Sequence, residues 1–129
     1  MKAETVILLN KVYCLIRGIG WLGFMGVCFF ERANIGLIYE TSGETLQSLG
    51  FDEAKLAFYL GLFALLSLFF AVINFFLANA PMKKKWWTAH LINHIVGILE
   101  CCCFPLALPL MLFWIREDVR AMFEEKRAE

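Results

Sequence analysis

The sequence predicts an all-α integral membrane protein. Three transmembrane helices are expected, the third long and bent at proline, with a short amphipathic helix at the C-terminus. Composition is the first reason: 60% of the 129 residues are hydrophobic, 16% are aromatic and only 19% are charged. A soluble domain is about 45–50% apolar and about 25% charged. The second reason is distribution, because the excess lies in three long blocks. The third is length: each block is close to or above the ~20 residues that cross ~30 Å of hydrocarbon at 1.5 Å per residue. Residues 1–129 are read as one membrane domain.

The first block spans about 6–30. It is the weakest, since Asn10, Lys11 and Arg17 interrupt its first half; from Ile16 to Phe30, Arg17 is the only charge. A loop of about 31–55 follows. Within it, Ala33 to Tyr39 is apolar, so the first helix is expected either to run past Glu31 and Arg32 or to lead into an interfacial segment. Thr41-Ser42-Gly43-Glu44 has the spacing of a capping box, and Gly50 stands where a helix would end. A short surface helix carrying Leu46, Leu49 and Phe51 is therefore expected.

The second block, about 56–80, has no charge and only Ser67, Asn74 and Asn79 as polar interruptions. Asp52 is placed to cap it, and Asn79-Ala80-Pro81 to stop it. After a basic loop at 81–85, the third block runs from about 86 to 115, with Glu100 as its one charge. It is too long for one upright span, and a hairpin of two spans needs roughly 40 residues. The expectation is one helix, tilted or bent near Pro105 and Pro109. The alternative is a half-span before Pro105 followed by a re-entrant segment. Trp86, Trp87 and Trp114 then form aromatic belts at opposite interfaces.

The tail, 116–129, reads as an amphipathic helix, with Ile115, Val119, Met122, Phe123 and Lys126 at helical spacing and an Arg120–Glu124 pair. Lys83, Lys84 and Lys85 contrast with the acidic 31–53 segment, where Arg32 faces Glu31, Glu40, Glu44, Asp52 and Glu53. The positive-inside rule puts the 81–85 loop and the N-terminus on the matrix or cytosolic side. Three spans then put the tail on the other side. The N-terminal stretch has neither the uninterrupted apolar core of a secretory signal nor the acid-poor pattern of a transit peptide.

Several residues could carry chemistry. His90 and His94 stand four residues apart on one helix face, a spacing that can clamp one metal ion. They cannot both be axial ligands of one haem, but either could be one of them, with Arg17 nearby. Counting from Trp86–Trp87, His90 lies ~6 Å and His94 ~12 Å into the membrane, and Asn74 lies ~9 Å in from the same side. Asn10, Arg17, Asn74, His90, Asn93 and His94 thus fall in one band, where each needs a polar partner. The functional reading is a pocket for a quinone head, a haem propionate or a lipid phosphate. The structural reading, which is favoured, is inter-helix hydrogen bonding at ~0.6 kcal/mol per bond. Glu100 lies ~21 Å along the third helix. It is read as a partner of Arg17, a contact to a neighbouring chain, or a proton relay. Cys14, Cys28, Cys101, Cys102 and Cys103 show no metal spacing and read as small apolar residues.

Small residues form seams: Gly18, Gly20, Gly23 and Gly26 on the first helix, and Ala57, Gly61, Ala64, Ala71, Asn74 and Ala78 on the second. Such seams let membrane helices approach closely. The phenylalanines around the second seam, Phe58, Phe63, Phe69, Phe70, Phe75 and Phe76, are expected against lipid or other subunits. Twelve basic residues balance twelve acidic ones, which argues against nucleic acid as a partner. No phosphate loop, nucleophile elbow or zinc spacing is present, so no independent enzyme is expected. The expected function is a non-catalytic accessory subunit of a multi-subunit membrane complex, packing helices and phospholipid. An energy-transducing membrane such as the mitochondrial inner membrane, with its respiratory chain, is the expected setting, because small multi-span subunits that keep Met1 are found there. No cofactor is expected under this reading. A haem- or quinone-binding anchor using His90, His94 and Arg17 is the alternative, and a small homo-oligomeric channel or proton-coupled carrier using Glu100 is the second alternative.

Overall fold

The computed structural model describes residues 1–100 and 104–124, and every regular element among them is helical. In chain order these are α1 (Ala3–Ala33), α2 (Ile35–Ser48), α3 (Glu53–Ala78), α4 (Lys84–Leu99), α5 (Phe104–Trp114) and α6 (Glu117–Glu124). Two of them, α1 and α3, are long and apolar enough to cross a membrane. The chain forms two compact units: Met1–Ile16 together with the chain from Asn74 onward, and Arg17–Ile73.

Capping chemistry sets several of the boundaries. Asp52 accepts a 2.7 Å hydrogen bond from the Lys55 backbone N–H, and so caps α3 as its sequence position suggests. The helix stops at Asn79, whose side-chain amide bonds the Phe75 carbonyl at 2.9 Å, ahead of Pro81. At the end of α2, Gly50 takes φ +80°, which only glycine adopts without steric cost. Its N–H bonds the Gln47 carbonyl and the Phe51 N–H bonds the Leu46 carbonyl, both at 2.9 Å, a Schellman closure. The capping box expected at Thr41 is not used. Thr41 lies inside α2, and its hydroxyl back-bonds to the carbonyls of Leu37 at 3.0 Å and Ile38 at 3.2 Å. The apolar run from Ala33 had already started the helix upstream.

The largest correction concerns the third block. It is not one long helix bent at proline. α4 ends at Leu99, and Glu100 is extended at φ −81°, ψ 98°. α5 begins at Phe104, with Pro105 in its first turn, where a missing N–H costs no helical bond. α4 packs against α5. The Trp87 indole donates to the Trp114 carbonyl and the Trp114 indole to the Trp87 carbonyl, each at 3.1 Å. On one continuous helix these residues would stand ~40 Å apart. Their contact makes α4 and α5 an antiparallel pair whose outer ends meet. At 16 and 11 residues, the two arms are ~24 Å and ~17 Å long, so neither alone matches ~30 Å of hydrocarbon.

α6 completes this unit. Val119 and Phe123 are buried with Val6, Ile7 and Trp114, and Ala3, Met82, Trp87, Leu91 and Met122 pack around them. Arg116 donates to the Met1 carbonyl at 3.0 Å and forks onto Asp118 at 3.1 and 2.7 Å. Arg120 pairs with Glu124 at 3.1 Å and lies over the Trp87 ring at 5.5 Å. α6 therefore lies beside the N-terminus and the 83–85 loop, with Glu124 3.9 Å from Lys84, which corrects the expected place of this segment opposite them. The reason is the doubling back of α5. Lys126, expected on the same amphipathic helix, and Cys101–Cys103 lie outside the described residues.

In the 17–73 unit, Trp21 stacks on Phe70 with ring centroids 5.0 Å apart, and Arg32 lies against Gly61. The first-helix and second-helix segments are thus antiparallel neighbours. Ala64 and Ala71 on the α3 seam are buried, as is Ser67 one turn from each, whereas Phe58, Phe63 and Phe69 are exposed. Tyr39 donates its hydroxyl to the Phe51 carbonyl, and the Phe51 ring meets Tyr59 edge-on at 5.7 Å. Desolvation, and then the carboxylates of Asp52 and Glu53, push the Tyr39 pKa up.

Candidate functional site

The polar band counted from the sequence becomes a buried cluster in the unit formed by Met1–Ile16 and the chain from Asn74 onward. α1 contributes Asn10 and Cys14, the end of α3 contributes Asn74, and α4 contributes His90, Asn93 and His94, all buried. The Asn10 amide nitrogen lies 2.9 Å from His90 Nδ1. An amide nitrogen can only donate, so Nδ1 accepts and the ring proton belongs on Nε2. Asn93 donates to the Asn74 carbonyl oxygen at 3.2 Å and to the Cys14 sulfur at 3.6 Å. Cys14 Sγ lies 3.9 Å from His90 Nδ1, which joins the two halves of the chain of contacts. Asn10 Oδ1 is buried without a hydrogen-bond partner among the described residues.

Aromatic rings close the cluster. Trp114 lies with its ring centre 5.0 Å from that of His90 and 5.9 Å from that of His94. Tyr13 lies 5.3 Å from His94, and Phe123 meets Trp114 at 5.4 Å. The imidazoles are the groups that could hold a haem iron or a metal ion. Their rings face Trp114 and Tyr13, and among the described residues no three His, Cys, Asp or Glu side chains converge on one metal position.

The structure thus brings together Asn10, Asn74, His90, Asn93 and His94. Arg17 is also buried, at the start of the other unit. Glu100 is half-buried at the C-cap of α4, not in the middle of a continuous helix. Gly20, Gly23 and Gly26 are exposed, and a Cβ at any of them would meet nothing within 4 Å. Ala64 is buried, and a Cβ at Gly61 would lie 2.5 Å from Arg32 Nη1. Two further members of the cluster, Tyr13 and Cys14, are legible from helical spacing, although Cys14 by itself reads as a small apolar residue. Both follow Asn10 by one helical turn and so share its face. Trp114 carries no such signal, because it arrives through the reversal between α4 and α5.

Beside the cluster, α1 and α5 form an apolar groove of about 320 Å³, lined by Leu9, Val12, Ile16, Leu106, Pro109 and Leu110 among others. It has almost no polar lining, and it contacts the polar cluster only at Tyr13. No protein family, curated protein or solved structure matches the chain.

Proposed function

We propose that the chain is a non-catalytic, helix-packing subunit of a larger membrane complex. It crosses the bilayer twice, with α1 and α3, and inserts α4–α5 as a re-entrant hairpin that enters and leaves on one side. Under this reading the N-terminus, the 83–85 loop and the tail share that side. Lys2, Lys11, Lys83, Lys84, Lys85, Arg116 and Arg120 then stand together, against Arg32 and Lys55 in the 31–55 segment. The positive-inside rule favours the cytosolic or matrix side for the larger group. The expectation of an energy-transducing membrane sets where to look for the complex.

The observation that carries the proposal is the difference between the two small-residue faces. Ala64, Ser67 and Ala71 are covered within the chain, whereas Gly20, Gly23 and Gly26 are exposed with open space over each Cα. An uncovered glycine face on a membrane helix is where another helix backbone can approach. The buried polar cluster supports the same reading, since its amides bond to a histidine ring and to one another within the chain.

Two measurements test it. Epitope tags at both termini and at Gly43, probed by protease protection in sealed vesicles, should place the termini together and Gly43 opposite. Termini on opposite sides would restore three spans. Gly23→Leu and Gly26→Leu should leave helicity by circular dichroism unchanged while moving the detergent-extracted particle from high to low native mass. A particle of undiminished mass would refute the glycine face as a subunit contact.

A further inference from the structure

The 17–73 unit holds a second groove, of about 310 Å³, and its lining is of two kinds. Phe29, Phe58, Leu62 and Leu65 form exposed apolar walls, and Arg32 lies between them on Gly61. The guanidinium rests directly over Gly61: a Cβ there would sit 2.5 Å from Nη1 and 3.4 Å from Cζ. Arg32 has no ion-pair or hydrogen-bond partner among the described residues. The other cation at this end, Lys55, is taken by Asp52 at 3.5 Å.

With α1 and α3 as spans, Arg32 stands one residue from the end of α1 and against Gly61, ~12 Å along α3 from Glu53, so its long side chain reaches head-group phosphate by snorkelling while the phenylalanines and leucines of the groove face acyl chains. A guanidinium presents a planar fork that matches a phosphate's oxygens two at a time. Glu31, Glu40, Glu44, Asp52 and Glu53 surround this end of the sequence, so a head group with net negative charge is disfavoured there. A zwitterionic head supplies the phosphate for Arg32 and carries a cation outward into the acidic segment. The geometry points to a phospholipid site: the phosphate of a zwitterionic phospholipid pairs with Arg32, and an acyl chain lies along Phe29, Phe58 and Leu65. This inference rests on the membrane reading above and is independent of membership in a complex.

The test uses the full chain, delipidated in mild detergent and mixed with equal amounts of phosphatidylcholine, phosphatidylglycerol and diacylglycerol of identical chains. Native mass spectrometry reads which lipid stays bound. Phosphatidylcholine should be retained about tenfold over diacylglycerol, the scale of one hydrogen bond to a charged group. Arg32→Gln and Gly61→Leu should each remove that preference, and Arg116→Gln should keep it. Because the lipid ranking is read on the unmutated chain, a variant that fails to fold does not decide the outcome. Diacylglycerol retained as well as phosphatidylcholine, phosphatidylglycerol preferred over it, or Arg32→Gln at full retention would each overturn the site. Displacement by millimolar inorganic phosphate would make it a free-phosphate site instead. Loss of the native complex in Arg32→Gln without any lipid preference would put a neighbour's carboxylate on Arg32 and overturn the lipid. Carbonate extraction, run in parallel, separates the two failures: a chain released from membranes sinks the membrane reading itself.

Discussion

Trp114→Ala is the most informative single perturbation of the α4–α5 hairpin. The side chain is 1% exposed, and it packs in the cluster of Val6, Ile7, Val119 and Phe123. Truncating a buried Trp costs about 3–5 kcal/mol through lost contacts and the cavity left behind. The lost indole bond to the Trp87 carbonyl accounts for about 1 kcal/mol more. Trp114→Phe keeps most of the packing and loses that bond, so it should cost about 1 kcal/mol. Unfolding of the helical signal by sodium dodecyl sulfate, in chain held in mild detergent, reads both values. A cycle with Trp87→Ala should be non-additive by about 0.5–3 kcal/mol, the range for residues in contact. On a single long helix the two residues would be ~40 Å apart and the effects would add. A Trp114→Ala cost below about 0.5 kcal/mol, or additivity with Trp87→Ala, would refute the hairpin.

Three further outcomes follow from the same geometry. Asn93→Leu removes the hydrogen bonds to Asn74 and Cys14 and should destabilise more than Asn10→Leu, which removes the contact to His90 and relieves the buried Asn10 Oδ1; each bond is worth about 0.6 kcal/mol in a membrane setting. The reverse order in the same unfolding assay would contradict the network. Gly50→Ala forces a side chain into φ +80° and should cost about 1–2 kcal/mol, read as earlier loss of α2. The Lys55 backbone N–H, followed by the Lys55 ammonium, holds the Asp52 carboxyl below its ordinary value of 3.8. A depressed carboxyl pKa stabilises the fold above the unfolded value, and that contribution is lost as pH falls through the folded value. Asp52→Asn should therefore flatten the acid-induced loss of protection at the Lys55 amide, measured by hydrogen exchange below about pH 4. An unchanged acid profile would remove Asp52 as the titrating cap.

Much of the local architecture is legible in the residues themselves. Asp52, Gly50 and Asn79 act within one or two turns, so their caps follow from local chemistry. The apolar length of α1 and α3 follows in the same way, from counting. Even the polar band of Asn10, Asn74, His90 and Asn93 comes from counting, because the rise per residue converts position into depth. The third block behaves differently. A tilted helix and a hairpin bury the same residues and satisfy the same local preferences, and Pro105 fits either a bend or a first turn. The choice rests on Trp87 meeting Trp114 and on Val119 and Phe123 closing over Val6 and Ile7. Those contacts join residues 27 positions apart and more, so no local window contains them. The use of Arg32 is of the same kind: Gly61 reads as one member of a packing seam until the fold sets a guanidinium against it. Local sequence determined which segments are helical and where most of them end. Only tertiary packing decided where the third block reverses, because that energy comes from side chains distant in the chain.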